Sequence, residues 1–273
     1  MPRFVTSDGV SLFYRDSGEG LPVLALSGLT RDGQDFDYVA PYLRNVRLIR
    51  LDYRGRGQSD WADHASYTPP IEGRDALELL DHLDLEKAAI LGTSRGGLIA
   101  MGLAAVARPR LLGVALNDIG PEIAPSGLDV IMGYLGRNPA WKTMDEAVAK
   151  RPLVMKGFAN VPESRWRTEV AHLYREGPSG LTIPYDPGLR DAVLAAAGQP
   201  APDLWPFFDA LAGLPLVTIR GANSDLLSPE TMAEMARRRP DMIVAEVPDR
   251  GHIPFLDEPE ALAALALWLE QMR

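Results

Sequence analysis

Residues 92–96, with the sequence Gly-Thr-Ser-Arg-Gly, constrain the fold of this chain more than any other segment. The apolar run at 88–91 before them is typical of a buried strand, and the apolar run at 97–106 after them is typical of a buried helix. A turn this short and sharp pushes Ser94 toward positive φ. Side chains two positions on either side would collide there, so glycine is favoured at both. We therefore predict a strand, a turn that presents Ser94, and a helix.

A histidine must accept the proton of a serine that acts as a nucleophile. The chain has four histidines. His64 lies in a polar loop, whereas His82 and His172 lie in helical patterns. His252 lies in a short loop between a strand-like run at 242–247 and a final helical pattern. Functional side chains concentrate on loops held by rigid elements, so we predict that His252 is the base.

Two aspartates could orient this histidine and stabilise its charged form. Asp225 follows the predicted strand at 215–220, and Asp118 follows the predicted strand at 111–116. A loop follows Asp225 before the next predicted helix, which lets its side chain reach the His252 loop. After Asp118 the chain must turn at once. We predict that Asp225 is the acid and keep Asp118 as the alternative.

An oxyanion on the substrate requires two backbone N–H donors. One comes from the residue after the nucleophile, which is Arg95. Another strand is predicted near 22–27, and Gly28 after it would let the chain turn so that Leu29 presents its amide. We therefore predict an oxyanion hole formed by the amides of Leu29 and Arg95.

Short apolar strands alternate with helical patterns from about residue 22 to residue 116, which predicts an α/β fold with a mostly parallel sheet covered by helices. From about 123 to 206 the pattern changes to helical pieces broken by prolines. Strands resume at about 215. We predict a core formed by 1–122 and 207–273, with a helical cap at 123–206 inserted between two core strands.

Aromatic residues in the predicted cap allow two interpretations. Trp141, Trp166 and Trp205 could pack the cap against the core or line an apolar substrate pocket, and we retain them as candidate substrate-binding residues. Arg165 and Arg167 could bind a substrate carboxylate, although solvated charges on a helix face are the more common situation.

The amino-acid composition limits the kinds of molecule that this protein is expected to bind. The net charge of −9, with scattered lysine and arginine, argues against nucleic acid and anionic membranes. The absence of cysteine excludes disulfides and thiolate metal sites and fits a cytoplasmic location. We see no signal-peptide pattern, no dinucleotide or Walker motif and no close histidine pair for zinc. We expect a small-molecule substrate, no cofactor and no metal, and the sequence is silent on oligomeric state.

Several motifs together resemble the α/β-hydrolase superfamily, in particular its small cofactor-free bacterial members with a helical lid. Besides 92–96, the motifs are SDGVSLFY at 7–14, DYRGRGQS at 52–59, NDIGP at 117–121 and GH at 251–252. The resemblance covers nearly the whole chain and implies an α/β-hydrolase fold. The order of nucleophile, acid and histidine along the chain agrees with it. One departure is Ser27, where many members have a histidine that supports the packing of the loop.

The resemblance implies Ser94 as nucleophile, His252 as base and Asp225 as acid, with Leu29 and Arg95 as oxyanion donors. A serine at position 94 disfavours the relatives that use an aspartate nucleophile. The implied reaction is hydrolysis of a small ester or lactone through an acyl-enzyme. Two alternatives stay open, namely hydrolysis of a carbon–carbon bond in aromatic catabolism with the same triad, and ligand binding by a receptor built on this scaffold.

Overall fold

An eight-stranded sheet forms the centre of the molecule in a computed structural model that describes residues 2–198 and 202–273. In chain order the strands are β1 (Arg3–Val5), β2 (Ser11–Ser17), β3 (Leu21–Leu26), β4 (Val46–Leu51), β5 (Ala88–Thr93), β6 (Leu111–Asn117), β7 (Arg175–Gly177), β8 (Gly180–Thr182), β9 (Leu216–Gly221) and β10 (Ile243–Val247). The helices are α1 (Pro69–His82), α2 (Arg95–Val106), α3 (Pro125–Tyr134), α4 (Met144–Val154), α5 (Glu163–Leu173), α6 (Leu189–Ala197), α7 (Trp205–Asp209), α8 (Pro229–Arg238) and α9 (Pro259–Glu270).

The strand order across the sheet is β1-β2-β4-β3-β5-β6-β9-β10. The β1–β2 and β2–β4 pairs are antiparallel, and the remaining neighbours are parallel. The predicted mostly parallel sheet is therefore confirmed. Because β6 lies between β5 and β9, the carboxyl ends of these three strands meet at one edge. Thr93 pairs with Asn117, and Asn117 pairs with Ile219.

Helices cover both faces of the sheet, because alternate strand residues point to opposite sides. Leu24 and Ile90 lie in the cluster that contains side chains of α1, α2 and α8. Val23 and Leu91 lie in the cluster that contains the side chains of α9. The buried strands are apolar on both faces, as expected of a parallel sheet between two helical layers.

The alternation of strands and helical patterns predicts a helix near 35–44, between β3 and β4, and this prediction is wrong. The chain instead forms two 3₁₀ turns, Gly33–Phe36 and Ala40–Tyr42. Pro41 contributes to this result, because it has no N–H to donate to a helical hydrogen bond.

Between β6 and β9 the chain forms α3 to α7 and a small antiparallel hairpin of β7 and β8. The sequence did not predict the hairpin, since its strands have three residues each and no apolar run. Within the inserted segment, Ala147, Val148 and Val170 form a small cluster with Leu181. The division into 1–122 with 207–273 and 123–206 stays a prediction. No helix in the described part of the chain is long and apolar enough to cross a membrane.

The close approach of α2 to β3 requires glycine at position 96. A Cβ added there would lie 2.6 Å from the carbonyl carbon of Leu26 and would clash with the attached oxygen. Gly102 lies in the same helix, and a Cβ added to it would meet no atom within 4 Å. Alanine substitutions at these two positions therefore distinguish a steric requirement for glycine, at position 96, from an effect of helix propensity alone, at position 102.

We expect Gly96→Ala and Gly102→Ala to change the free energy of unfolding in opposite directions. Gly96→Ala should destabilise the protein by about 1–3 kcal/mol or more, since overpacked cores are strained. Gly102→Ala should stabilise it by up to about 1 kcal/mol, since alanine has the higher helix propensity. Urea unfolding of both variants measures the difference. A Gly96→Ala protein as stable as wild type would contradict the described contact of α2 with β3.

Candidate active site

Ser94 occupies the turn between β5 and α2, as the glycine pattern predicts. Its backbone angles are φ 49° and ψ −112°, a conformation that costs energy for a residue with a side chain. The turn is held by the Ser94 amide, which donates to the carbonyl oxygen of Asn117 at 3.0 Å. The side chain is therefore presented at the carboxyl edge of the sheet by a rigid backbone.

His252 connects Ser94 to an aspartate. Its Nε2 lies 3.0 Å from Oγ of Ser94, and its Nδ1 lies 2.7 Å from Oδ2 of Asp118. The His252 loop is further held because Nδ2 of Asn117 donates to the carbonyl oxygen of Pro254 at 3.1 Å. The three side chains form one hydrogen-bonded line that ends in a fully buried carboxylate.

The predicted pairing of Asp225 with His252 is wrong. Asp225 is exposed, and its backbone oxygen accepts a hydrogen bond from Oγ of Ser126 at 3.0 Å. Asp118 has the contact because β6 is the immediate neighbour of β5, so the residue after β6 lies beside Ser94. Its positive φ of 54° accompanies this placement at the start of the loop. The structure therefore contains the alternative that the sequence left open, with Asp118 as the partner of His252.

Asp118 is also held by the last residue of β9 and by a residue of the loop that follows it. Its Oδ1 accepts from the amide of Gly221 at 2.8 Å, and its Oδ2 accepts from Oγ of Ser224 at 2.6 Å. The same hydroxyl accepts hydrogen bonds from the amides of Leu226 and Leu227. Both carboxylate oxygens are thus engaged, which fixes the orientation of the group that faces His252.

The amides of Leu29 and Arg95 are available for a ligand. Within residues 2–198 and 202–273, neither donates a hydrogen bond to another residue. The 27–31 loop passes next to the nucleophile, because a Cβ added to Gly28 would lie 3.9 Å from Cβ of Ser94. The amide of Gly96 donates to the carbonyl oxygen of Ser27 at 3.1 Å and ties this loop to α2. The arrangement is suited to binding an oxyanion, and that role stays a prediction.

A buried carboxylate connects the two predicted donors. Glu72 of α1 pairs with Nη1 of Arg56 at 2.8 Å and with Nε of Arg95 at 2.6 Å. Arg56 in turn donates from Nε to the carbonyl oxygen of Leu29 at 2.9 Å. Burial lowers the pKa of Arg56, and the charge of Glu72 opposes this effect. Through Arg56, the DYRGRGQS motif therefore supports the two predicted oxyanion donors, a role that the sequence did not predict.

An ion-paired group connects the 31–38 segment with α5. Arg31 pairs with Asp35 at 2.6 Å and with Glu169 at 2.8 Å, and the Tyr38 hydroxyl donates to Glu169 at 2.9 Å. Burial raises the pKa of Asp35 to about 7, although the charge of Arg31 acts against it. Burial also acts to raise the pKa of Glu169, but Arg31, Tyr38 and Arg151 together lower it. Arg31 thus attaches α5 of the inserted segment to the loop that passes next to Ser94.

The candidate tryptophans lie in two different places. Trp166 is 5% exposed and packs within the inserted segment, with its ring edge on Phe158. Trp141 packs there as well, against Tyr174. Trp205 lies at the main core, where its Nε1 donates to Glu122 at 2.8 Å. Packing accounts for Trp166, and substrate contact by any of the three stays a prediction.

The two arginines considered for carboxylate binding are already paired. Arg165 pairs with Asp257, and its guanidinium lies 3.7 Å from the centre of the Tyr38 ring. Arg167 pairs with Asp145 at 2.8 Å on the exposed side of α5. Neither guanidinium is therefore available for a substrate without breaking these pairs.

The other histidines serve packing or lie at the surface. His82 stacks on Phe4, and His172 lies near the Tyr38 ring. His64 is exposed in a 3₁₀ turn. Across residues 2–198 and 202–273, no group of three or more histidine, aspartate or glutamate side chains could hold a metal ion.

Comparisons with known proteins give a consistent result. The model of the alpha/beta hydrolase family matches residues 23–265. A 3-hydroxybutyrate-oligomer hydrolase of Cupriavidus necator is 39% identical over 250 residues, which cover 86% of this chain and 84% of that protein. A 2-(acetamidomethylene)succinate hydrolase of Mesorhizobium japonicum is 26% identical over 264 residues, covering 94% and 91%. The crystal structure of an alpha/beta hydrolase from Novosphingobium aromaticivorans superposes with a TM-score of 0.92 at 36% identity, covering 99% and 97%.

The two aspartates can be compared directly in a hydrolysis assay. We expect Asp118→Asn to lower kcat for a p-nitrophenyl ester by about 10³–10⁴, because the amide would favour the wrong histidine tautomer. Asp225→Asn should stay close to wild type, since Asp225 is exposed and does not contact His252. Initial rates at saturating ester measure both, and thermal unfolding shows whether each variant is folded. A large loss for Asp225→Asn with Asp118→Asn near wild type would reverse the assignment.

Proposed function

Because the chain belongs to the alpha/beta hydrolase family and is a hydrolase, we propose that it cleaves small carboxylic esters through an acyl-enzyme on Ser94. The observation that carries the proposal is the hydrogen-bonded line from Oγ of Ser94 through His252 to Asp118, with distances of 3.0 Å and 2.7 Å. A serine with a base in reach, and a base oriented by a carboxylate, is the arrangement used for nucleophilic catalysis.

The reaction proceeds in two halves. Nε2 of His252 accepts the proton of Ser94 as Oγ attacks the carbonyl carbon, and the amides of Leu29 and Arg95 stabilise the resulting oxyanion. Asp118 keeps the remaining proton on Nδ1 and stabilises the imidazolium. His252 then protonates the leaving alcohol. Water, activated by the same histidine, attacks the acyl-enzyme and releases the acid.

The first candidate substrates are short oligomers of 3-hydroxybutyrate. The proposal rests on the relative of 39% identity, whose name assigns it this activity and which this chain matches over 84% of its length. Such oligomers are aliphatic esters, so the proposed chemistry applies to them directly. The small-molecule partner and the cytoplasmic location predicted from the sequence belong to the same proposal.

A fluorophosphonate probe tests the role of Ser94. We expect it to label the wild-type protein and the Ser179→Ala control, because Ser179 is exposed and lies far along the chain from the triad. Ser94→Ala should not be labelled and should lose several orders of magnitude in kcat. A folded Ser94→Ala protein with more than a tenth of wild-type activity would refute the proposed mechanism.

A substrate panel tests the choice of ester. It includes 3-hydroxybutyrate dimer and trimer, p-nitrophenyl esters of graded acyl length, a lactone and one meta-cleavage product. We expect the highest kcat/KM for the oligomers among the natural compounds. If the meta-cleavage product were hydrolysed best, the carbon–carbon bond alternative would replace the ester proposal.

A further inference from the structure

The loop after β9 brings a hydroxyl group, not a carboxylate, to the candidate triad. Asp225 is exposed, and it is the residue before it, Ser224, that contacts Asp118. Oγ of Ser224 lies 2.6 Å from Oδ2 of Asp118, and Nδ1 of His252 lies 2.7 Å from the same oxygen. One carboxylate oxygen is therefore shared between the proposed base and a serine that the mechanism above does not use.

The direction of the hydrogen bond between Ser224 and Asp118 is fixed by the backbone. A serine hydroxyl has one hydrogen to donate and two lone pairs that accept. Both lone pairs are engaged, because the amides of Leu226 and Leu227 donate to Oγ of Ser224 at 3.2 Å and 3.1 Å. The hydroxyl hydrogen is left to point at Oδ2 of Asp118. Ser224 is therefore a donor to this carboxylate.

The loop that carries Ser224 is held in place independently of the triad. Arg220 is 3% exposed and donates from Nε to the carbonyl oxygen of Leu227 at 2.8 Å. Its Nη1 donates to the carbonyl oxygen of Ala222 at 3.3 Å. One guanidinium thus fixes the chain on both sides of Ser224, so the hydroxyl keeps its position when the charge on His252 changes.

Other charged groups around the triad have partners of their own or lie at the surface. Among the described residues, His252 is the one ionisable side chain that pairs with Asp118. Asp225 is exposed, and Asp249 accepts from Asn160 at 2.7 Å. The charged side chains of the neighbouring elements are held in these contacts: Arg220 with Glu246, Arg250 with Glu258, Arg165 with Asp257, Arg95 with Glu72, Arg31 with Asp35 and Glu169, and Glu122 with the indole of Trp205. The Ser224 hydroxyl therefore acts on Asp118 at shorter range than these charges.

A second donor changes what the carboxylate does for the histidine. A hydrogen bond donated to an ionised carboxylate stabilises its charge without protonating it. Less of that charge is then available to stabilise protonated His252, so His252 gives up its proton at a lower pH than beside Asp118 alone. Because only neutral His252 can accept the proton of Ser94, the hydroxyl extends the working range of the site toward acid pH.

We propose that Ser224 is a positioning residue that sets the pH at which His252 becomes an effective base, by donating a hydrogen bond to the Asp118 oxygen that His252 also uses. The inference rests on the function proposed above, since it assigns a role within the same triad. Ser224 acts through Asp118 and not on the ester itself.

The acid limb of kcat/KM against pH tests the inference, because it reports the essential base of the free enzyme. A p-nitrophenyl ester read at its isosbestic wavelength gives the rates. We expect Ser224→Ala to move the midpoint of this limb up by about 0.5–1 pH unit, which is part of the effect of one hydrogen bond to a charged group. On the plateau above the limb, kcat should fall by no more than about 10-fold, far less than for Asp118→Asn.

Two further variants separate the hydrogen bond from the fold of the loop. Ser224→Thr keeps a hydroxyl and should return the midpoint close to wild type. Ser126→Ala is the matched control, because Oγ of the exposed Ser126 donates to the backbone oxygen of Asp225 at 3.0 Å and supports the same loop without a hydrogen bond to Asp118. The control should leave the midpoint unchanged.

Nuclear magnetic resonance follows the same titration without turnover. The chain has four histidines, and the imidazole C2–H signal of His252 is the one that His252→Gln removes. In Ser224→Ala the titration midpoint of this signal should rise by the same amount as the acid limb. This measurement does not depend on which ester is hydrolysed.

The outcomes separate this inference from the proposed function. An unchanged or lowered midpoint in Ser224→Ala, or an equal rise in Ser126→Ala, would overturn the role of Ser224 while fluorophosphonate labelling of Ser94 still supported the esterase. Failure of Ser94 to react would instead overturn the esterase, and the His252 signal would still test Ser224. If Ser224→Ala does not fold, Ser224→Cys decides, because a thiol is a weak donor, and a wild-type midpoint there would overturn the inference.

Discussion

The buried carboxylate of Asp118 is the constraint on which the candidate site depends. It accepts hydrogen bonds from the Gly221 amide, the Ser224 hydroxyl and His252, so one side chain joins the loops that follow β6, β9 and β10. Charge-assisted hydrogen bonds of this kind are stronger than neutral ones. Their geometry fixes where His252 stands, and His252 can reach Ser94 because β5 lies directly beside β6.

The strand–turn–helix around Ser94 could be predicted from the sequence because its constraints are local. Gly92 and Gly96 are required by contacts within a few residues or with one adjacent strand, and the strands are apolar runs of ordinary length. The acid could not be chosen in the same way. Both Asp118 and Asp225 follow strands, and the chain gives the order of strands in sequence, not their order across the sheet. That β6 and not β9 adjoins β5 is a long-range property, and so is the exposure of Asp225.

The inserted segment was harder to predict for a related reason. Its aromatic residues suggested a pocket, yet Trp166 is enclosed among its neighbours and Arg165 is held by Asp257. The pair of Arg165 and Asp257 joins α5 to the segment before α9, a long-range contact that no local motif reports.

The 27–31 loop connects the candidate site with the inserted segment. Its Leu29 amide is a proposed oxyanion donor, and two residues later Arg31 pairs with Glu169 of α5. Because Leu29 and Arg31 are two residues apart, the ion pair with α5 also constrains where the Leu29 amide can stand.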